Sequence, residues 1–97
     1  MIERHVTFNV IPGKEKEFET LFKEEYSNAM ARQLGFVSVT LLKEHEKEAI
    51  YQMTIRFQSL ETAAAWRDSA DHKALSPKIK AFSTGSTVQV YVVIAQK

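Results

Sequence analysis

One stretch decides the fold of this chain: YQMTIRF (residues 51–57), followed directly by QSLETAAAWRDSADH (residues 58–72). Apolar and polar side chains alternate through the first segment, which predicts a strand with one face in a core. The second segment changes to a helical period, with Ser59 as its N-cap. Its apolar face consists of Leu60, Ala63 and Ala64, and Trp66 lies on the border of that face. The stretch therefore predicts a strand that leads into a helix of small residues.

The same helix carries the chain's single tryptophan, and a histidine follows it closely. Ser69 is predicted either to end this helix or to cap the next one, which places His72 about one turn beyond it. A large aromatic ring, an imidazole and several alanines therefore lie close together in sequence. We predict a functional site here.

The chain before this stretch predicts one strand and one helix. Residues 2–11 alternate, with Val6, Phe8 and Val10 on one side and His5, Thr7 and Asn9 on the other. Pro12-Gly13 breaks the strand, because proline lacks an N–H donor. From Lys14 onward a helical period brings together Phe18, Leu21, Phe22, Tyr26, Ala29 and Met30. Gly35 allows the left-handed cap that ends this helix.

The remaining segments predict two more strands and a short helix. Phe36–Lys43 alternates like a strand, and the polar run Glu44-His45-Glu46-Lys47-Glu48 is predicted to be a hairpin turn. Ser76-Pro77 is predicted to interrupt the helical pattern and to restart a short helix that ends at Phe82. Thr84-Gly85-Ser86 is predicted to be a turn, and residues 88–95 the last strand.

Together these elements give the order β-α-β-β-α-β, the ferredoxin-like α+β pattern, in which both helices cover one face of an antiparallel sheet. The 97 residues predict a single domain over the whole of 1–97. The last strand has a second apolar side, so a monomer would expose apolar sheet surface and sheet edges. We therefore predict a homodimer whose sheets pack through the face that bears His5, Thr7, Tyr91 and Val93.

The composition excludes several classes of function. A net charge of +1 gives no basic stripe for nucleic acid, and the absence of cysteine excludes disulfides and thiol catalysis. No apolar run is long enough to span a bilayer, and the first residues lack the apolar core of a signal peptide. The three histidines show no ligand spacing, so we expect no metal. We expect a soluble, cytoplasmic protein with no nucleic-acid or membrane partner.

A strand, a helix with a tryptophan and then Ser69-x-x-His72 resemble the antibiotic biosynthesis monooxygenase (ABM) family. The similarity extends from Arg4-His5-Val6 and the turn Pro12-Gly13-Lys14 to the last strand. The resemblance implies a small ferredoxin-like domain that forms a dimeric α+β barrel, with two sheets packed face to face.

The resemblance also implies an enzyme that oxygenates a phenol or hydroquinone with dioxygen and needs neither metal nor flavin as a cofactor. A substrate that becomes an electron-rich anion can itself reduce O₂. The protein then has only to deprotonate the substrate, hold it out of water and stabilise the charge. His72 is the candidate catalytic base, because imidazole titrates near neutral pH.

Five residues are candidates for binding the small aromatic substrate. Trp66 is predicted to stack on the aromatic ring, or else to be a large core residue. Tyr51 and Phe82 are predicted to line the same cavity, unless they only pack in the core. Asn9 and Arg56, on the sheet face opposite the core, are candidates to hold an oxyanion, with structural polar contacts as the alternative.

Other interpretations stay open. Haem degradation, known from a branch of the same superfamily, is disfavoured. That branch has its iron-ligating histidine about ten residues after the tryptophan, where this chain has Ser76. A non-catalytic binding or stress-related module would keep the fold without turnover, and an isomerase or another small-metabolite enzyme is a further alternative. Basic residues near the second helical region either attract an anionic substrate or only solvate the surface: Arg67, Lys73, Lys78 and Lys80.

Overall fold

The computed structural model describes residues 1–47 and 49–97. The strands are β1 (Ile2–Val10), β2 (Phe36–Lys43), β3 (Ile50–Phe57) and β4 (Ser83–Val92). The helical elements are α1 (Glu15–Leu21), a π-helical segment (Phe22–Tyr26), α2 (Ser27–Ala31), α3 (Leu60–Asp68) and α4 (Ala70–Lys80). The predicted order β-α-β-β-α-β and the ferredoxin-like α+β fold are confirmed.

The four strands form one antiparallel sheet in the order β2-β3-β1-β4. Val6 of β1 lies opposite Met53 of β3 and Val88 of β4, so residues in register share one face of the sheet. The helices cover that face. The opposite side, which we call the uncovered sheet face, carries polar residues of β1 and β3 such as Glu3, His5, Thr7, Asn9, Gln52, Thr54 and Arg56.

Apolar side chains from both layers form the core. The first helical region contributes all six residues that its spacing predicts: Phe18, Leu21, Phe22, Tyr26, Ala29 and Met30. The alternating residues of β3 are buried too, as the first-quoted stretch predicts. The ring of Phe18 contacts those of Phe8 and Tyr51, at centroid distances of 5.2 and 5.1 Å. The helical and the alternating patterns therefore meet in a single core.

Helix α3 packs through a different face from the predicted one. Leu60 is 60% exposed, whereas Ala63 is buried and Trp66 is 0% exposed. Leu60 is the first helical residue and lines a small cavity beside the helix. The buried face is centred between Ala63 and Trp66, which are one turn apart. Trp66 is therefore a core residue.

Pro77 does not interrupt the second helical region, contrary to the prediction. Helix α4 runs from Ala70 to Lys80 with Pro77 inside it. Leu75 and Ile79 lie on one face on either side of the proline, and both are buried. The packing of this face offsets the hydrogen bond that the proline nitrogen cannot donate to the preceding turn.

The last strand begins and ends earlier in the sequence than predicted, at Ser83 and Val92 instead of residues 88 and 95. Gly85 pairs with Asn9, and Ser83 pairs with Val10. The predicted turn at residues 84–86 therefore belongs to β4. A bulge between Asn9 and Val10 shifts the register and lets the pairing continue. In the predicted hairpin turn, residues 44–47 do connect β2 to β3, and Glu48 lies outside the described residues.

Strand β4 is a sheet edge that is exposed on both faces. On the side facing the helices, Val88, Val90 and Val92 are 48%, 53% and 65% exposed. Tyr91, on the uncovered sheet face, is 43% exposed. Apolar side chains on an edge strand are a typical contact surface for another chain. Within the part of the chain that the structure describes, every helix is too short or too polar to cross a bilayer.

Replacing Gly35 with alanine is expected to destabilise the fold much more than replacing Gly13. Both glycines have a positive φ, 82° at Gly35 and 91° at Gly13, which disfavours alanine at either position. An added Cβ at Gly35 would also lie 2.5 Å from the Thr62 side chain, whereas Gly13 has nothing within 4 Å. Thr62 forms the capping box of α3 with Ser59. We expect the free energy of unfolding to fall by about 2–5 kcal/mol for Gly35→Ala and by about 1–2 kcal/mol for Gly13→Ala.

Urea denaturation of both variants measures the difference. Equal losses of stability would mean that Thr62 moves aside without cost and that the contact with Gly35 does not constrain α3.

Candidate functional site

A cavity of about 340 Å³ lies between the helices and the part of the sheet formed by β1 and β4. We call it the His72 cavity. The sheet supplies apolar walls, among them Val6 and Val88, while the helices supply Tyr26, Trp66 and His72. A concave, mostly apolar space with a few polar groups is typical of small-molecule sites, and this volume lies at the lower end of their range.

His72 owes its position to Ser69, which joins α3 to α4. The Ser69 hydroxyl donates to the carbonyl oxygen of Trp66 over 2.7 Å and accepts from the backbone N–H of His72 over 3.1 Å. Ser69 therefore ends one helix and caps the next, so both of its predicted roles are realised. The result is a short corner that places His72 in the first turn of α4.

Three rings form an aromatic cluster at the cavity. The rings of Trp66 and His72 meet edge to face with their centroids 5.1 Å apart, and Tyr26 meets Trp66 in the same way at 5.6 Å. The centroids of Tyr26 and His72 are 6.4 Å apart. Edge-to-face contacts fix the relative orientation of rings. Trp66 therefore supports both His72 and Tyr26 from behind.

Some polar atoms in this cluster make no hydrogen bond to the residues that the structure describes. Within the described residues, Trp66 Nε1 is the one fully enclosed side-chain polar atom that makes no hydrogen bond. The hydroxyl of Tyr26 also makes no hydrogen bond to the described residues, but it is not fully enclosed. Since buried polar groups are nearly always paired, the Tyr26 hydroxyl is available to a bound molecule.

The electrostatic setting keeps His72 neutral and Tyr26 protonated. Burial lowers the pKa of His72, and the positive charges of Arg4, Lys80 and Arg67 lower it further, whereas Asp68 acts in the opposite direction. Burial raises the pKa of Tyr26 to about 12, although Arg4 opposes this shift. At neutral pH the imidazole can accept a proton and the phenol can donate a hydrogen bond.

Two of the predicted site residues come together, and two lie on the other side of the sheet. Trp66 and His72 both line the cavity. Asn9 and Arg56 lie on the uncovered sheet face, where the sequence places them, and so face away from the His72 cavity. Arg56 donates to Glu3 Oε1 over 2.6 Å and also to Gln96, so its charge is already compensated. Glu3 also contacts His5, and the pKa of its carboxyl is lowered by His5 and Arg56.

Tyr51 and Phe82 do not line the His72 cavity, contrary to the prediction. Tyr51 is 1% exposed, and its hydroxyl donates to the carboxylate of Glu19. Phe82 follows the end of α4 and borders a separate depression beside α1. Tyr51 lies near the start of β3, and Phe82 follows the end of α4, whereas His72 lies in the first turn of α4.

Sequence reasoning missed two residues of the cavity, Tyr26 and Arg4. Tyr26 belongs to the helical apolar pattern and looks like packing alone, and no sequence signal indicates the π-helical segment that contains it. Such segments often occur at functional sites. Arg4 did carry a signal, because its position on β1 is in phase with Ile2, Val6 and Phe8, where an apolar residue is expected.

No grouping of three or more histidine, aspartate or glutamate side chains with the geometry to hold a metal ion occurs within residues 1–47 and 49–97.

The ferredoxin-like fold of this chain is shared with known proteins. The antibiotic biosynthesis monooxygenase family matches residues 1–78. The chain belongs to this family. A search of curated proteins found no match.

Solved structures agree on the fold. SnoaB from Streptomyces nogalater, a cofactor-independent oxygenase, superposes with a TM-score of 0.87 at 24% sequence identity, over 98% of this chain and 94% of SnoaB. A conserved protein from Methanosarcina mazei Go1 superposes with a TM-score of 0.84 at 19% identity, over 93% of this chain and 89% of that protein. At these identities the likeness establishes the fold alone.

Proposed function

We propose that this protein is a monooxygenase of a flat phenolic or quinol-type molecule, which binds in the His72 cavity and reacts with O₂ without metal or flavin. One observation carries the proposal: His72, with a neutral imidazole, and Tyr26, whose hydroxyl makes no hydrogen bond to the described residues, line the same largely apolar cavity. Membership of the monooxygenase family supports it, and so does the description of SnoaB as a cofactor-independent oxygenase.

The protein's own chemistry is a proton transfer. Neutral His72 accepts the phenolic proton and leaves a phenolate, which is a much stronger reductant than the phenol. Tyr26 remains protonated and donates a hydrogen bond to the phenolate oxygen. The buried side chains of Phe8 and Ile55 form an apolar wall that limits access of water from the sheet side, which strengthens both interactions.

Electron transfer then occurs between the phenolate and O₂. One electron passes to O₂, and the resulting radical and superoxide combine to form a carbon–oxygen bond. The imidazolium of His72 returns its proton to this peroxide. The O–O bond then breaks. The outer oxygen, with the proton from His72, leaves as water together with the hydrogen of the attacked carbon, and the oxygen that remains becomes the second carbonyl of a quinone. Overall, one phenol and one O₂ give one quinone and one water, so no external reductant is needed.

Trp66 has a supporting role in this proposal. Because its ring is 0% exposed, it offers no open face on which a ligand can stack. Its edge-to-face contact with His72 instead holds the imidazole against the cavity. Trp66 is therefore a positioning residue, and the ligand rests mainly on the apolar sheet wall.

Oxygen uptake by metal-free, flavin-free protein tests the function. A panel of quinols and polycyclic phenols is supplied, and each rate is corrected for autoxidation. We expect saturable uptake of one O₂ per quinone formed, with no oxygen returned when catalase is added. Return of half the oxygen would indicate release of H₂O₂ and therefore an oxidase. Ligand binding without any uptake would favour the non-catalytic binding module.

We also propose that two copies pair through the uncovered sheet face. The 43% exposure of Tyr91 on that face supports this pairing, because exposed apolar surface on a sheet is typical of a contact with another chain. Val93 follows β4, donates its backbone N–H to Met1 and continues the face of Tyr91 by alternation.

Val93→Glu is expected to weaken the dimer by about 100-fold or more, because a carboxylate would be buried without a partner. Sedimentation velocity over a range of concentrations measures this change. Thr20→Glu adds the same charge on the exposed helical surface and should leave the dimer intact. A monomeric wild-type protein at micromolar concentration would contradict the pairing.

A further inference from the structure

Three cations line the His72 cavity. Arg4, Arg67 and Lys80 line it, and its described lining residues include no aspartate or glutamate. Within residues 1–47 and 49–97, these three side chains form neither salt bridges nor hydrogen bonds. Other cations of the same region do have partners, since Arg32 pairs with Asp71 and Lys78 pairs with Glu25. Lys73 of α4 also forms no salt bridge within the described residues, but it is exposed and does not line the cavity. What distinguishes Arg4, Arg67 and Lys80 is that all three line the same cavity.

Arg4 is the least expected of the three. It lies on the core-facing side of β1, opposite Ile55 of β3 and Val90 of β4. Its side chain is half-buried, and this desolvation together with the charge of Arg67 lowers its pKa. A partly desolvated guanidinium that lacks an anionic partner is unfavourable, so the fold alone does not explain this residue.

A second, smaller cavity adjoins two of these cations. It has a volume of about 80 Å³ and lies beside α3, next to Ala63 and Ala64. Arg4 and Arg67 line both this cavity and the His72 cavity, so they lie where the two meet. The small alanine side chains leave room there for a substituent of a few atoms, within reach of two guanidinium groups.

We propose that Arg4 and Arg67 bind an ionised oxyanion substituent of the ligand, a carboxylate or a phosphate, while its ring occupies the His72 cavity. The substrate class is therefore an acidic phenol. Guanidinium groups suit this task, because they form charge-assisted hydrogen bonds with planar geometry. Lys80, on α4, adds attraction at longer range. The inference rests on the proposed function for the phenolic part of the ligand, but its test does not require turnover.

The test compares two ligands of the same shape and different charge. Hydroxynaphthoate and the matching neutral hydroxynaphthamide are titrated into the protein, and binding is followed by calorimetry and by the fluorescence of Trp66. We expect the acid to bind about 10- to 100-fold more tightly than the amide. The ratio of the affinity for the acid to the affinity for the amide should fall as salt is added, because ions screen charge attraction. Hydroxynaphthyl phosphate is titrated in the same way. If it binds more tightly than hydroxynaphthoate, the preferred oxyanion is a phosphate, and otherwise it is a carboxylate.

Variants of the two arginines test whether these residues cause the preference for the acid over the amide. Arg4→Gln and Arg67→Gln should each remove most of the preference for the acid and leave the affinity for the amide within a few-fold. Arg4→Lys, which keeps the charge, should retain part of the preference. Lys73→Gln is the matched control, because Lys73 is an exposed cation of α4 that does not line the cavity.

The inference is overturned if wild-type protein binds the acid no more tightly than the amide, including the case in which neither binds. It is also overturned if Arg4→Gln and Lys73→Gln lower the affinity for the acid equally. If wild-type protein prefers the acid but consumes no oxygen, only the proposed function is contradicted, because binding and its charge preference are measured without O₂ consumption.

Discussion

Replacing His72 with glutamine is expected to slow oxygen uptake by about 10²–10⁴-fold, the usual contribution of general-base catalysis. Glutamine is similar in size and polar, but it cannot take a proton from a phenol at neutral pH. Ligand affinity should stay within a few-fold, because the apolar sheet wall and the cations of the cavity are unchanged. Steady-state oxygen uptake gives the rate, and calorimetry gives the affinity.

Two controls separate catalysis from structure. His45→Gln alters an exposed histidine of the β2–β3 connection and should leave the rate unchanged. The pH profile is the second control. The pKa of His72 is lowered from 6.5 by burial and by Arg4, Lys80 and Arg67, with Asp68 opposing. Wild-type activity should therefore be constant near neutral pH and fall only in acid, where the imidazole becomes protonated. An unchanged rate in His72→Gln would make His72 a structural residue.

The fold was predictable because its signals are local and repeated. Alternation over residues 51–57 and helical spacing from Phe18 to Met30 each predict a buried face, and both faces meet in the core. The errors occur where tertiary contacts override local preference. Pro77 is accommodated because the face of Leu75 and Ile79 continues across it. Gly85 is recruited into β4 by its pairing with Asn9.

The site was predictable only where sequence neighbours become spatial neighbours. Trp66 and His72 come together through the corner at Ser69, which the spacing indicates. Tyr26 and Arg4 reach the cavity from other elements, so no local pattern connects them with His72. Tyr51 was predicted to line the cavity, but it does not. Its side chain lies on the core-facing side of β3, and that position does not determine whether a residue is near the cavity.

Replacing Trp66 with alanine is expected to lower the free energy of unfolding by about 3–5 kcal/mol, as for other large aromatic residues removed from a core. Trp66→Phe should cost less, about 1–2 kcal/mol, because Nε1 makes no hydrogen bond within the described residues and only volume is lost. Leu60→Ala is the matched control on the same helix, since Leu60 is 60% exposed and should cost about 0.5 kcal/mol or less. Urea denaturation followed by circular dichroism measures all three.

The same variants decide how Trp66 contributes to the site. Because the ring is enclosed, Trp66→Phe should keep ligand affinity within a few-fold while lowering kcat, since His72 loses part of its edge-to-face support. A stacking role predicts the reverse, with weaker binding and an unchanged kcat. A large loss of affinity in a stably folded Trp66→Phe protein would therefore place the indole in direct contact with the ligand and would require the cavity to open between Trp66 and His72.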